Sequence, residues 1–174
     1  ARREGRTIDI DLVASCAAAC HVPLCVGGGI ATVGHVRDLV RAGADKIAIN
    51  GLFFEDPTTV PRTVAQFGAQ CVIGAMDVEA TPLGPRVIDA NHDTQETSPA
   101  DWALGLRDLG VGEILVNNVD RDGAGTGYDL AVMNAVADAV SLPVIASGGA
   151  CSADHVAALF ANTRARAAAV GNAL

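Results

Sequence analysis

Pro23-Leu-Cys-Val-Gly-Gly-Gly29, followed by Gly34-His35-Val36, returns as Pro143-Val-Ile-Ala-Ser-Gly-Gly149, followed by Asp154-His155-Val156, at a constant offset of 120 residues. Each copy holds a proline, a short apolar run, a glycine turn and the start of an amphipathic stretch. That is the pattern of a strand, a tight βα connection and a helix. Around the two copies the same pattern continues. Strands are predicted at 24–26, 46–50, 71–76, 114–119, 144–146 and 167–170, and helices at 8–20, 33–42, 59–67, 100–109, 130–140 and 153–160. Several of the helices open on a capping Ser, Thr or Asp or on an early Pro.

Short apolar strands alternating with helices imply a parallel sheet covered by helices, either doubly wound or closed into a barrel. The repeat decides for the barrel, because two similar halves close one naturally. An eight-stranded barrel takes about 250 residues, roughly twice the repeat offset. The reading is therefore an α/β chain of the (β/α)8, or TIM-barrel, class: one domain over 1–174, an incomplete barrel of about six βα units with an internal half-barrel repeat. The expectation is that about two βα units precede residue 1; the chain opens on Ala1 and closes on Leu174, just past the last predicted strand.

The 12 basic and 20 acidic residues leave a net charge of -8, and Lys46 is the only lysine. No basic face exists to release counterions from nucleic acid, and an anionic membrane surface would repel the chain. No apolar run approaches the length of a bilayer span, and Ala1-Arg2-Arg3-Glu4-Gly5-Arg6 leads into no signal-peptide pattern. Five cysteines, at 16, 20, 25, 71 and 151, form no CxxC pair. Neither a zinc site nor a disulfide framework is indicated, no metal or cofactor is expected, and a reducing cytoplasm fits. Cys16, Cys20, Cys25 and Cys71 are expected to fill the core.

In a barrel of this kind chemistry is placed where strands end. Those ends read Val26-Gly27-Gly28-Gly29, Ile49-Asn50-Gly51, Met76-Asp77, Val119-Asp120-Arg121-Asp122-Gly123, Ala146-Ser147-Gly148-Gly149 and Val170-Gly171-Asn172. The two glycine loops can present bare backbone N–H groups to an anion at a helix N-terminus, so two phosphate cradles are expected. Glycines that only make tight turns are the plainer alternative, but two matched copies beside Asn50 and Ser147 favour the cradles. Asp77 ends an otherwise apolar strand, where a carboxylate is costly unless used or paired, and is the candidate general acid or base. In the glycine-rich loop from Asp120 to Tyr128, one carboxylate can bind substrate while Arg121 serves structure. His21, His35 and His155 are expected on the surface, far from the site. His92, after a predicted strand at 86–90, belongs to an excursion over the site and is a lesser candidate for substrate contact.

Val26-Gly-Gly-Gly-Ile30, Gly43-Ala-Asp-Lys-Ile-Ala-Ile-Asn50, Met76-Asp77, Asp120-Arg-Asp-Gly123 with Gly127-Tyr-Asp129, and Pro143-Val-Ile-Ala-Ser-Gly-Gly149 together resemble the cyclase subunits of imidazole glycerol phosphate synthase, of histidine biosynthesis. The likeness runs nearly the whole chain. The sister isomerase shares the half-barrel repeat but lacks the Ala-Asp-Lys-Ile-x-Ile-Asn run and the Gly-Tyr-Asp ending. The resemblance implies a lyase that takes a ribulosyl-formimino aminoimidazole carboxamide nucleotide, a substrate with a phosphate at each end. Ammonia comes from a glutaminase partner, and the products are imidazole glycerol phosphate and aminoimidazole carboxamide ribonucleotide. It further implies Asp77 as one of two catalytic carboxylates, the other lying about 120 residues earlier, outside this chain. Gly29 and Asn50 would hold one phosphate; Asp122, Gly123, Ser147, Gly148, Gly149 and Gly171 would serve the other end.

The chain also departs from that pattern. Asn117-Asn118 stands where the family usually has Thr-Ser, Gly51 where a Thr is common, and an acidic stretch at 91–97 where the family has a basic loop. The link 162–166 is two residues longer than its counterpart in the first half, which leaves the register at Gly171 and Asn172 open. Such changes also suit cyclase paralogues that pass glutaminase-derived ammonia to a nucleotide sugar in surface-polysaccharide synthesis. A third reading is an inactive fragment that keeps phosphate binding.

Overall fold

A computed structural model describes residues 8–89, 91 and 93–171. In chain order the elements are α1 (Ile10–Ala19), β1 (Cys25–Gly27), α2 (Val33–Arg41), β2 (Lys46–Ile49), α3 (Leu52–Glu55) and α4 (Thr59–Phe67). A 3-10 turn at Ala69–Cys71 leads into β3 (Val72–Glu79) and β4 (Arg86–Ile88). The rest are α5 (Pro99–Asp108), β5 (Glu113–Asn118), α6 (Leu130–Ala139), β6 (Val144–Ser147), α7 (Ala153–Asn162) and β7 (Ala167–Ala168).

The sheet runs β1-β2-β3-β5-β6-β7, all parallel, with β4 added antiparallel on β3. Spatial order follows chain order without reversal. Right-handed crossovers taken always in one direction put every helix on the same face, which is the winding of a barrel and not of a doubly wound sheet. The structure is thus a partial (β/α)8 barrel.

Alternation along the strands follows from this one-sided cover. Ile47, Ile49, Met76, Val78, Ile114, Val116, Val144 and Ala146 are buried under the helices, each large aliphatic among them worth about 1.5–3 kcal/mol of burial. The alternate residues Lys46, Ala48, Ala75, Asp77, Glu79, Glu113, Leu115, Asn117, Ile145 and Ser147 lie on the inner face, half-buried. Lys46 and Glu113 form an ion pair across that face at the amino ends of β2 and β5.

Helix starts are set by local chemistry. The Asp9, Thr32, Ser98, Asp129 and Ser152 side chains each accept a backbone N–H in the first turn of the helix that follows. The short α3 has no sequence signal, since four residues carry no helical period. It is held by tertiary contact: Leu52 and Phe53 are buried, and the ring of Phe54 stacks on Trp102 of α5 at 4.6 Å. Strand β3 begins one residue later than expected because Cys71 closes the 3-10 turn. It runs three residues further because β4 pairs with its end, Asp77 opposite Ile88 and Glu79 opposite Arg86. The last strand is only Ala167–Ala168, against the expected 167–170.

One expectation about the core fails. Cys71 is buried, but Cys16, Cys20 and Cys25 are exposed, as is Cys151. Helix α1 buries Val13 alone, and β1 is an edge strand paired only with β2 among the described strands. Burial also pushes the Cys71 thiol pKa up from its ordinary value. Because the thiolate is the nucleophile, Cys16, Cys20 and Cys151 are expected to be alkylated well before Cys71, as read by peptide mass after timed iodoacetamide labelling. A Cys71 that labels as fast as Cys151 would mean that the amino end of β3 opens readily.

Candidate active site

At the carboxyl ends of the strands the inner face turns polar. Asp77 projects there from β3, and its carboxylate is bracketed by amides from both sides. Asn50, just past β2, donates from Nδ2 to Oδ2 at 2.9 Å, and Asn117 of β5 donates from Nδ2 to Oδ1 at 3.0 Å. Asn117 is the β-sheet partner of Asp77, and Ser147 is in turn the partner of Asn117, so these side chains share one row.

A cavity of about 470 Å³ opens beside that row, lined by Asp122, Gly123, Gly125, Ser147, Gly148, Gly149, Ala150, Cys151, Ala169, Val170 and Gly171. Every residue expected to serve the second phosphate end therefore meets at one opening, in front of α7. Asn172 and His92 lie outside the described residues. A second pocket of about 190 Å³, at the equivalent place in front of α2, is lined by Gly29, Ile30 and His35 together with Ile8, Ile10, Asp38 and Leu39. Asn50 is not among its lining residues, and its side-chain amide donates to Asp77.

The Asp120–Asp129 loop is fastened from below. Asn118, 3% exposed, accepts the Arg121 backbone N–H at Oδ1 and donates from Nδ2 to Asp129, whose other oxygen caps α6 at Val132. Arg121 spends its guanidinium on the Gly127 carbonyl at 3.2 Å and on Asp129 at 3.8 Å, the structural use expected of it. Gly127 N–H then donates to the Gly149 carbonyl at 2.8 Å, tying loop to cradle. Tyr128, buried, donates to the Ala169 carbonyl, and burial pushes its phenol pKa above the usual value. Asp120 accepts the Ala80 N–H and so steadies the end of β3.

His35 is exposed, as expected, but neither it nor His155 lies on the far side from the strand ends. His35 and His155 occupy equivalent positions in the first turns of α2 and α7, where Thr32 and Ser152 accept their backbone N–H groups. Their Nδ1 atoms accept from the backbone N–H of Ala31 and Cys151. A helix that follows a strand begins where the strand ends, so its first turn faces the site and not the far side. His21 is exposed, as expected.

The histidine biosynthesis protein family matches residues 1–174, the whole chain. The chain belongs to this family. Imidazole glycerol phosphate synthase subunit HisF of Synechococcus sp. (strain CC9311) is 44% identical over 160 residues, covering 91% of this chain and 61% of that protein. The subunit of the same name from Prochlorococcus marinus (strain MIT 9211) is 36% identical over 178 residues, covering 100% and 69%. That from Solidesulfovibrio magneticus is 40% identical over 179 residues, covering 99% and 69%. The chain thus spans about three fifths to two thirds of the length of these curated relatives. The Asp77 row, the Gly29 pocket and the Ser147–Gly149 cavity all lie at the carboxyl ends of the strands. Among the described residues no helix is long and apolar enough to cross a membrane.

Proposed function

We propose that the protein carries out the cyclase reaction of imidazole glycerol phosphate synthase, using ammonia from a glutaminase subunit to convert the ribulosyl-formimino aminoimidazole carboxamide nucleotide to imidazole glycerol phosphate and aminoimidazole carboxamide ribonucleotide. The observation that carries this reading is the Asp77 carboxylate, held by two amides at the strand ends beside the glycine cavity. Asp77 acts as a general acid or base on the substrate. Backbone N–H groups of Gly123, Gly148, Gly149 and Gly171, with Ser147 and Asp122, take one end of the bis-phosphorylated substrate, and Gly29 takes the other. Such cradles need no cation, since unpaired N–H groups at a helix start already favour an anion. The relatives' names support the reading, and their description as subunits supports a partner.

The test is ammonium-dependent consumption of the nucleotide by the protein at full length, with both products followed by NMR. Turnover with ammonium in place of the partner is expected. Binding without turnover would mean a different ammonia acceptor, with nucleotide sugars next; neither binding nor turnover would end the enzymatic reading.

A further inference from the structure

We propose that Asn117 is a positioning residue that fixes the Asp77 carboxylate relative to the phosphate cradle. The proposal rests on the reading of Asp77 as the acid/base group and adds the means by which it is aimed.

A carboxylate at the end of a strand turns freely about its last torsion, because that rotation has only broad, shallow minima. Aim therefore has to be imposed from outside. Here each carboxylate oxygen accepts from a different strand: Oδ2 from Asn50 and Oδ1 from Asn117. The two bonds pin both ends of the O–C–O plane, which one bond alone would leave free to swing. The two amides are not equivalent. The Asn50 Oδ1 atom is buried with no hydrogen-bond partner, so its amide is anchored to Asp77 and to nothing beyond it. Asn117 has a neighbour on its other side as well. A Cβ placed on Gly148 would come within 3.2 Å of Asn117 Oδ1 and 2.4 Å of the Asn118 carbonyl, so the amide lies directly against the cradle glycine. Asn117 thus lies against both the acid/base group and the loop expected to hold phosphate. Its amide orientation is dictated too, since turning it over would set one oxygen against another.

The experiment compares Asn117→Leu, which keeps approximate size and loses the donor, with Asn117→Thr, which keeps a donor at Oγ1. In ammonium-dependent turnover, Asn117→Leu is expected to lower kcat about 10²-fold with KM within about threefold, as for a group displaced by a fraction of an ångström. Asn117→Thr is expected to recover to within about tenfold of the unsubstituted protein. An Asn117→Leu rate within about threefold of the unsubstituted protein overturns the proposal. So does equal impairment of both variants, which would mark a merely structural role. Should the unsubstituted protein show no turnover, the reaction assigned above fails, and positioning is decided by side-chain amide NMR. Asp77→Ala must then shift the Asn50 and Asn117 resonances and leave that of Asn134, bonded far away to the Asn162 carbonyl, unmoved. Unshifted Asn117 signals would overturn the proposal.

Discussion

Asp77→Asn is expected to lower turnover by about 10³-fold or more while leaving affinity for a phosphate ligand within a few-fold. General acid–base groups contribute roughly 10²–10⁴-fold, and the substitution removes the proton-carrying group without changing its outline. Affinity should survive because Asp77 lies outside the lining of the 470 Å³ cavity, which is built from Asp122, Gly123 and the Ser147–Gly149 loop. A second consequence separates this variant from a neutral change. The new amide has one oxygen where the carboxylate had two, so one of the Asn50 and Asn117 donors faces another donor. A part-buried donor left without an acceptor costs about 1–3 kcal/mol, and a lowered melting temperature should accompany the lost rate. The measurements are calorimetric titration with glycerol phosphate, thermal unfolding and steady-state rate on one preparation. A near-normal rate would remove Asp77 from the mechanism; a collapse of phosphate affinity would mean that its charge shapes the cavity.

The legible part of this protein is what repeats or what is costly. The 120-residue repeat gave the barrel winding, because strand–glycine–helix units recur only where each packs like its neighbour. Asp77 was legible because a carboxylate ending Val72-Ile-Gly-Ala-Met76 is out of place unless used. What stayed hidden depended on neighbours distant in the chain. The roles of Asn117 and Asn118 looked like a mere departure from a family pattern, yet adjacent strand residues face opposite ways. One amide therefore reaches Asp77 on the inner face, while the other, buried, fastens the Arg121–Asp129 loop. Counting in twos along β5 and matching its register to β3 would have found the first. The exposed Cys16, Cys20 and Cys25 show the reverse case: their types suit a core, but an edge strand and a sparsely packed helix supply none. Helix α3 and the ring stack of Phe54 on Trp102 left no local trace at all.

Gly149→Ala is expected to abolish phosphate binding and to destabilise the fold, whereas Gly123→Ala should leave the fold nearly intact. The two glycines line the same cavity and both have positive φ, 101° and 74°, so conformation alone does not separate them. Space does. A Cβ on Gly149 would sit 2.3 Å from the Gly127 carbonyl oxygen and 3.0 Å from Arg121 Cβ. These are atoms of the strut that the Gly127 N–H to Gly149 carbonyl bond holds together. Backbone cannot yield as a flexible side chain does, so the loop must part from the cradle, at about 1–3 kcal/mol of strain plus the lost contacts. A Cβ on Gly123 would meet nothing within 4 Å and point into open cavity. Its cost is the left-handed backbone alone, about 1–2 kcal/mol. Any larger loss of affinity at Gly123 must then come from a methyl group standing where the ligand belongs. Thermal unfolding with phosphate titration of both variants reads the two effects apart. Wild-type affinity in Gly149→Ala would show that the 147–149 loop is not the anion site, and undiminished affinity in Gly123→Ala would place the ligand away from the Asp120–Asp129 loop.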